Sequence, residues 1–456
     1  MFLLVDGVNL MQKKHNELLL KYNRPGPRYT SYPPVPFWKG APDEAMWIGH
    51  LKTIYSDNEG MDLYVHVPFC EKLCYYCGCN RIITKNHDNE EKYVDLILKE
   101  WGMYKTQLGF TPVINSLHFG GGTPTFLSAE NLERLIQGLT EKRSPSFIGS
   151  IEIDPRTTKL EHLDCFKENG IGRVSLGIQD FDDNVQAAIN RKQSFELVEN
   201  LVNELRARGI DSINFDVIYG LPRQTVETIT GTFELIRKLK PDLIAYYSYA
   251  HLPEKLKNQR LIKTEELPDA QTKHALYEKG KELLAIDGYE DVGMDHFALP
   301  NNFLYQAKVE NRLHRNFMGY VDKKSKILLG LGPSSISDSS LSFMQNEKGF
   351  NEYERKIQAG KLAVMNGHVH ESDDLGAQEI ILNLMCKDEG EIKGNTPYLD
   401  EILRELEEFQ RDGLLIIKDN KIKVLPEGKK FIRNVAMTFD FYFREKMPKD
   451  KFSQTI

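Results

Sequence analysis

Four cysteines fall within ten residues of this chain: Cys70, Cys74, Cys77 and Cys79, in the stretch Tyr64-Val65-His66-Val67-Pro68-Phe69-Cys70-Glu71-Lys72-Leu73-Cys74-Tyr75-Tyr76-Cys77-Gly78-Cys79-Asn80. Thiolates that close together on one loop point to a metal site, since buried inert thiols do not cluster in this way. A structural zinc would prefer two Cys-x-x-Cys knuckles well apart, and no second knuckle follows, so zinc with Cys79 as fourth ligand is the weaker alternative. Cys-x-x-x-Cys-x-x-Cys presents three thiolates, Cys70, Cys74 and Cys77, to one face of a cluster. A [4Fe–4S] cube held by three cysteines keeps one iron open to a small-molecule ligand. Cys79 stays outside this set, as a spare ligand, a substrate-side residue or a packing thiol.

Other residues along the chain also suit a ligand. Gly120-Gly121-Gly122-Thr123-Pro124 follows an apolar run; three glycines let backbone groups approach a ligand that side chains would exclude. Glu152, Gln179 and Asp216 sit among apolar neighbours. A carboxylate in such a place needs a partner, because burying an unpaired charge costs several kcal/mol. An internal network with Arg191 or Arg173 would satisfy them without any ligand. Near the N-terminus, Tyr22 to Pro34 holds four prolines and a glycine, which exclude regular structure. A solvated linker is the plain reading. Arg28 and Tyr29, with two further tyrosines and a second arginine, instead suit a ligand with carboxylates and a flat apolar face.

The elements that must position these groups alternate. Apolar strands are expected at 63–67, 115–119, 149–153, 173–178, 212–219 and 243–249, with amphipathic helices between them. Glu90 to Leu108 is one such helix, with Tyr93, Ile97, Trp101, Tyr104 and Leu108 at helical spacing. Strand–helix alternation implies a parallel sheet with right-handed crossovers; a closed barrel needs eight units, so six imply an incomplete one. A helical stretch is expected at 12–21, before the arm. Beyond about residue 340 the alternation stops. Thr396-Pro397 is expected to start a helix with Leu399, Ile402, Leu403, Leu406 and Phe409 inward and Gly413 at its end. A hairpin at 414–425 around Lys418-Asp419-Asn420-Lys421 and a helix from Pro426 complete a winged-helix pattern. The expected division is an arm at 1–60, a partial barrel at 61–340 and a C-terminal domain at 341–456.

Composition sets outer limits. The chain has 456 residues, enough for a large core and two or three domains, with 41% hydrophobic and 27% charged residues, as in an ordinary globular enzyme. A net charge of −7 gives no reason to expect nucleic acid or an anionic membrane as partner. No apolar run approaches the length of a membrane span. Met1 to Asp6 lacks a basic region and carries a carboxylate, unlike a signal peptide. Six cysteines, four of them clustered, argue against a disulfide framework, so a cytoplasmic protein is expected.

The cysteine loop after a strand, followed by the glycine run, resembles the signature of the radical S-adenosylmethionine (SAM) enzymes. That resemblance implies a partial (β/α)6 TIM-like barrel with the cluster loop after its first strand. It also implies SAM on the open iron of a [4Fe–4S] cluster, cleaved to a 5′-deoxyadenosyl radical. The likeness narrows through Gly26 to Pro33, Cys77-Gly78-Cys79-Asn80, Phe119 to Thr125, Asp216 to Pro222, Tyr249 to Pro253, Gly293 to Ala298, Leu313 to Phe317 and Phe452-Ser453. These resemble the oxygen-independent coproporphyrinogen III oxidases over nearly the whole chain.

The resemblance implies that Tyr64, Tyr76, Gly121, Gly122, Thr123, Glu152, Gln179, Arg191, Asp216, Ala250 and Ile336 hold SAM. Among these, Glu152 and Tyr64 would be the catalytic pair, and Cys70, Cys74 and Cys77 the metal ligands. The sulfonium, amino group and ribose hydroxyls then supply partners for the strand carboxylates. Two SAM molecules are implied, with coproporphyrinogen III as substrate and Arg28 and Tyr29 as its contacts. An electron donor such as a flavodoxin or ferredoxin, and a monomer, are expected. Tyr76 departs from the family's phenylalanine, and Met318 stands where its best-known members carry glutamine beside the second SAM. Two rivals remain. A haem chaperone on the same barrel would lack the Arg28–Pro33 arm and Cys77-Gly78-Cys79-Asn80. A DNA-binding regulator would need a less acidic first wing helix than one carrying Glu401, Glu405, Glu407 and Glu408.

Overall fold

The structure is a computed structural model that describes residues 17–394, 396–446, 452 and 455. Met1 to Asp6, the first part of the helical stretch expected at 12–21, and Ser453 lie outside the described residues; 17–22 is helical. Contacts divide the chain into two units, one of Lys39–Tyr305 and Ser325–Val369, the other of Met1–Trp38, Gln306–Lys324 and His370–Ile456.

The larger unit is built on βα repeats: β1 (Met61–Val67), α1 (Asn89–Leu108), β2 (Ile114–Gly121), α2 (Ala129–Leu139), β3 (Arg143–Ile153), α3 (Leu160–Asn169), β4 (Ile171–Gln179), α4 (Phe195–Ala207), β5 (Ser212–Tyr219), α5 (Val226–Leu239) and β6 (Leu243–Ser248). β1 to β6 lie side by side in sequential order, every pair parallel. Local chemistry starts and stops the helices. Ser128 and Ser194 accept hydrogen bonds from the backbone N–H groups of Asn131 and Leu197, capping α2 and α4. Gly109, at φ +85°, ends α1 in the left-handed conformation. The inward face of α1 (Tyr93, Ile97, Trp101, Tyr104) is buried with Leu63, Val65 and Val67 of β1 in one core, as the helical spacing predicts.

The sheet extends beyond these six strands. After β7 (Glu290–Gly293) and β8 (His296–Ala298) come β9 (Leu328–Leu331), β10 (Ile336–Asp338), β11 (Ser342–Asn346) and β12 (Val364–Val369). The full order is β12-β11-β10-β9-β1-β2-β3-β4-β5-β6-β8-β7, twelve strands whose two ends are not neighbours among the described residues. β9 is a seventh parallel strand, pairing with the free side of β1 so that Tyr64 stands opposite Gly330. It was not expected, because its four residues are too few to show a period and no crossover helix announces it. Pairing of β10 to β12 into the same sheet carries this unit to Val369, past the boundary expected near residue 340.

In the other unit the arm is packed against C-terminal segments, unlike a solvated linker. Tyr22, Tyr29 and Tyr32 are 6%, 1% and 1% exposed. The Tyr22 ring stacks on Phe409 with centroids 4.8 Å apart, and its hydroxyl donates to Asp412 at 2.5 Å. The Arg433 guanidinium donates to the carbonyls of Gly26 and Pro27, and Phe441 N–H donates to the Tyr32 hydroxyl at 3.1 Å. A Cβ on Gly26 would lie 2.4 Å from Met437 Sδ, so only glycine lets the arm come this near.

The C-terminal segments follow the expected pattern in outline. They comprise α6 (Ser372–Lys387), β13 (Glu389–Glu391), α7 (Leu399–Arg411), β14 (Leu415–Lys418), β15 (Lys421–Val424) and α8 (Ile432–Met437). β15 pairs with β14 across Asp419 and Asn420, both at positive φ, and with β13 on its other side. Ile402, Leu406 and Phe409 of α7 are buried, while Leu399 and Leu403 are half-buried. Thr396 does not cap α7: its hydroxyl donates back to the Lys393 carbonyl, and Tyr398 at positive φ precedes the helix.

Candidate functional site

The cysteine loop leaves the end of β1 and is held from several sides. Gly122 N–H donates to the Val67 carbonyl at 2.7 Å, and Thr123 N–H to the Phe69 carbonyl at 2.8 Å, so the glycine run after β2 is laced to the start of the loop. A Cβ on Gly122 would lie 2.7 Å from the Phe69 carbonyl oxygen, and one on Gly121 2.7 Å from the His66 ring. Glycine is therefore required at both places by close backbone approach. Farther along, the Asn258 amide donates to the carbonyls of Tyr75 at 2.8 Å and Cys77 at 3.0 Å. The Gln259 amide donates to those of Tyr76 at 2.9 Å and Ala250 at 3.1 Å, and the Asn190 amide to that of Leu73 at 2.8 Å. Side-chain amides thus pin the irregular backbone of residues 73–77, which lies beyond the short ladder of Phe69–Cys70 with Ile82–Ile83.

The three expected ligands differ in surroundings. All three are free thiols, Cys74 buried and Cys70 and Cys77 partly so, with Cys79 exposed. Thr123 Oγ1 donates to Cys70 Sγ at 3.4 Å, and burial pushes the Cys70 thiol up to about 11. Two guanidiniums, of Arg156 and Arg191, each reach Cys74 Sγ at 3.5 Å. Both also bind Asp154, at 2.6 Å and 3.2 Å. Burial alone would raise the Asp154 carboxyl, but the Arg191 charge and the Arg156 hydrogen bond outweigh it and hold the group well below the usual carboxylate range. Soft thiol donors on one loop, with cations beside one sulfur to balance thiolate charge, fit an iron–sulfur cluster held by three cysteines.

The remaining candidates lie along the strand ends of the same unit. Gly121 N–H donates to Glu152 Oε2 at 3.2 Å, and His118 Nε2 lies 3.6 Å from Glu152 Oε1. The Glu152 side chain is 47% exposed, so its carboxylate is available to a ligand. Tyr64 Oη and His66 Nδ1 are 3.1 Å apart, and burial followed by the Glu152 charge pushes the Tyr64 phenol up. Tyr64 and Glu152 flank the same glycine, since a Cβ on Gly120 would touch both. Asp216 accepts from Ser175 Oγ at 3.1 Å and Asn214 Nδ2 at 2.9 Å. Burial, then the Glu152 charge, push its carboxyl up to about 7. Gln179, at φ +67°, and Arg191 both border Gly177, whose carbonyl takes two hydrogen bonds from Arg191. Ile336 begins β10, its carbonyl 2.6 Å from where a Cβ on Gly330 of β9 would be, and Gly330 stands opposite Tyr64.

Some expectations are corrected. The internal network proposed for the strand carboxylates does not form as expected. Arg191 pairs with Asp154 and not with Glu152 or Asp216, while the Arg173 guanidinium lies over the Phe303 ring. Tyr29 is not placed to meet a ligand: its side chain is buried in the smaller unit and its hydroxyl donates to Asp440 at 3.0 Å. Arg28 is half-buried in that unit and accepts from Arg315 Nε through its carbonyl, at 3.1 Å. Met318 lies in the turn between the paired segments His314–Asn316 and Gly319–Val321, its N–H bound to Asn316 Oδ1 at 2.9 Å.

Several residues escaped sequence reading. His66 could have been suspected from its place one strand repeat after Tyr64, and Arg156 from the turn Asp154-Pro155-Arg156. Nothing in spacing marks Asn190, Asn258 or Gln259, which act through tertiary contact alone.

Comparison with known proteins gives the same direction. Residues 64–236 match the Radical SAM superfamily. The chain is 37% identical to the oxygen-independent coproporphyrinogen III oxidase of Salmonella typhimurium strain LT2, over 96% of this chain and 98% of the relative. It is also 37% identical to that of Escherichia coli strain K12, with the same coverage. Among solved structures it is similar to coproporphyrinogen III oxidase from Escherichia coli, described as a radical SAM enzyme. The TM-score is 0.87 and the identity 35%, over 91% of this chain and 97% of the other.

Proposed function

The chain belongs to the oxygen-independent coproporphyrinogen III oxidases, within the radical SAM superfamily, and on that premise we propose how its residues divide the reaction. The activity is oxidative decarboxylation of two propionates of coproporphyrinogen III to vinyls, giving protoporphyrinogen IX in haem biosynthesis without dioxygen. The propionate β-carbon carries no acidic hydrogen, so no side chain of ordinary basicity removes it as a proton. When bound, a [4Fe–4S] cluster and SAM would supply an electron and a carbon radical able to take that hydrogen atom, and the vinyl would form with loss of CO₂ and transfer of one further electron to a one-electron acceptor.

The chain's own part is binding and orientation. Cys70, Cys74 and Cys77 hold the cluster, fixed by the lacing of Gly122 and Thr123 to the loop. Gly121, Gly122 and Thr123 offer backbone at the amino end of SAM, with Glu152 and Tyr64 at its flank. Asp216, Gln179, Arg191, Tyr76, Ala250 and Ile336 complete the wall. A cation bound beside Asp216 would draw that carboxyl, pushed up to about 7 by burial, back to its charged form, so ligand and carboxylate would stabilise each other. Two SAM molecules serve the two decarboxylations, Arg28 receives a propionate, a flavodoxin or ferredoxin reduces the cluster, and the enzyme acts as a cytoplasmic monomer. No helix among the described residues is long and apolar enough to cross a membrane.

The observation that carries this reading is a loop of three thiols laced to a glycine run, with the Glu152 carboxylate one hydrogen bond away. Anaerobic incubation with coproporphyrinogen III, SAM and a reductant tests it. Protoporphyrin, after oxidation of the products, is expected; unchanged coproporphyrin with a full cluster would point to a porphyrin-binding chaperone.

A further inference from the structure

Arg156 has no part in the reaction as described, yet its guanidinium, held by Asp154, reaches a cysteine of the cluster loop. Nε donates to Asp154 Oδ1 at 2.9 Å and Oδ2 at 3.2 Å, while Nη2 donates to Asp154 Oδ2 at 2.6 Å and Cys74 Sγ at 3.5 Å. Its side chain is 9% exposed. Arg191 already pairs with Asp154 and reaches the same sulfur, so a second arginine is not needed to neutralise that carboxylate. Two guanidiniums and one carboxylate leave a net charge of +1 beside Cys74.

We propose that Arg156 is a positioning residue that raises the reduction potential of the cluster, through its N–H···S contact and its charge at Cys74. The proposal rests on the reading that Cys74 is a cluster ligand. Three thiolates make the oxidised cluster an anion, and the electron delivered by a reductant adds one more negative charge. A fixed cation and an N–H donor at a ligand sulfur favour the more negative state, and protein environment sets such potentials by these means. The barrier to burying that cation is met by Asp154, which also fixes the fork in place.

The test is a reductive titration of the reconstituted full-length enzyme without SAM, following the reduced cluster by electron paramagnetic resonance, with iron and sulfide measured on each sample. Arg156→Gln is expected to keep its iron. At a fixed solution potential its ratio of reduced to oxidised cluster should fall about tenfold, about 59 mV for a one-electron couple. Arg156→Lys, with the charge kept and the fork lost, should fall between. Asp154→Asn removes the neighbouring negative charge and should raise the ratio. Full iron with a ratio within twofold of the wild type in Arg156→Gln overturns the proposal. If that variant loses iron, Asp154→Asn decides: a raised ratio supports the proposal, and an unchanged or lowered one overturns it. A wild-type chain that holds no cluster would instead sink the ligand reading, which the iron analysis reports separately.

Discussion

Glu100, on α1, is a carboxylate with no exposed surface, and replacing it by glutamine should change how stability depends on pH. Its Oε2 accepts from Gly332 N–H at 2.9 Å and the Tyr353 hydroxyl at 2.6 Å, and its Oε1 from the Asn346 amide at 2.7 Å. These bonds fasten α1 to the turn between β9 and β10, to the end of β11 and to the helix Phe350–Gln358. Burial still outweighs the three donors and pushes the carboxyl from 4.5 up to about 7. The folded chain therefore holds this proton more tightly than the unfolded one. Its stability contribution is fully present below pH 4.5 and is lost as pH rises through 7. By linkage the loss is about 2.5 kcal/mol between pH 5 and 8, of which about 1.4 kcal/mol is still to come at pH 6. Glu100→Gln carries no such proton. Its carbonyl can take over the two Oε2 bonds, but its amide then faces the Asn346 amide, a pH-independent cost of about 1–3 kcal/mol. Urea unfolding of both proteins as reduced apo chains, followed by the fluorescence of the buried Trp47 and Trp101, gives the wild-type-minus-variant difference at each pH. Groups common to both cancel. The difference should shrink by about 2.5 kcal/mol from pH 5 to pH 8, most of it between 5 and 7; a flat difference refutes the argument.

Other outcomes follow from the site and the arm. Cys70→Ala, Cys74→Ala and Cys77→Ala should each fail to hold a [4Fe–4S] cluster by iron and sulfide analysis, while Cys79→Ala keeps it; the reverse pattern refutes the ligand set. Arg28→Ala should stop protoporphyrinogen formation with SAM cleavage largely kept, as seen by chromatography of porphyrins and 5′-deoxyadenosine, whereas normal turnover would remove Arg28 from the substrate. Tyr29→Phe leaves the buried Asp440 without its hydroxyl donor, at a cost of about 1–3 kcal/mol, read as a lower urea midpoint of the smaller unit. Met318→Gln adds at most one hydrogen bond, about 0.5–1.5 kcal/mol, so turnover should change by no more than about tenfold. A wild-type enzyme that stops at the three-propionate, one-vinyl stage with SAM in excess would contradict that estimate.

What the sequence discloses follows the range of the forces involved. β1 to β6 and α1 were legible because periodicity records burial residue by residue, and the observed ends differ from the expected ones mainly at strand starts, such as Arg143 for β3. β9 was hidden, since four apolar residues show no period and its parallel pairing with β1 is a long-range event. The cysteine loop was legible because metal chemistry needs a fixed spacing. Its supports were not: Asn190, Asn258 and Gln259 reach it across the fold, and nothing local distinguishes them from surface amides. The arm was only half legible. Its tyrosines marked it as more than a spacer, but residue type could not tell Tyr29, which faces the interior, from a tyrosine offered to a ligand.

The central claim is that this chain directs a carbon radical at the β-carbon of a propionate. Coproporphyrinogen III carrying deuterium at the propionate β-carbons, incubated anaerobically with the reduced enzyme and SAM, tests it by mass spectrometry of 5′-deoxyadenosine. Deuterium is expected in the recovered 5′-deoxyadenosine, with one CO₂ released for each vinyl formed. Vinyl formation with unlabelled 5′-deoxyadenosine, or labelled 5′-deoxyadenosine without loss of CO₂, would contradict it.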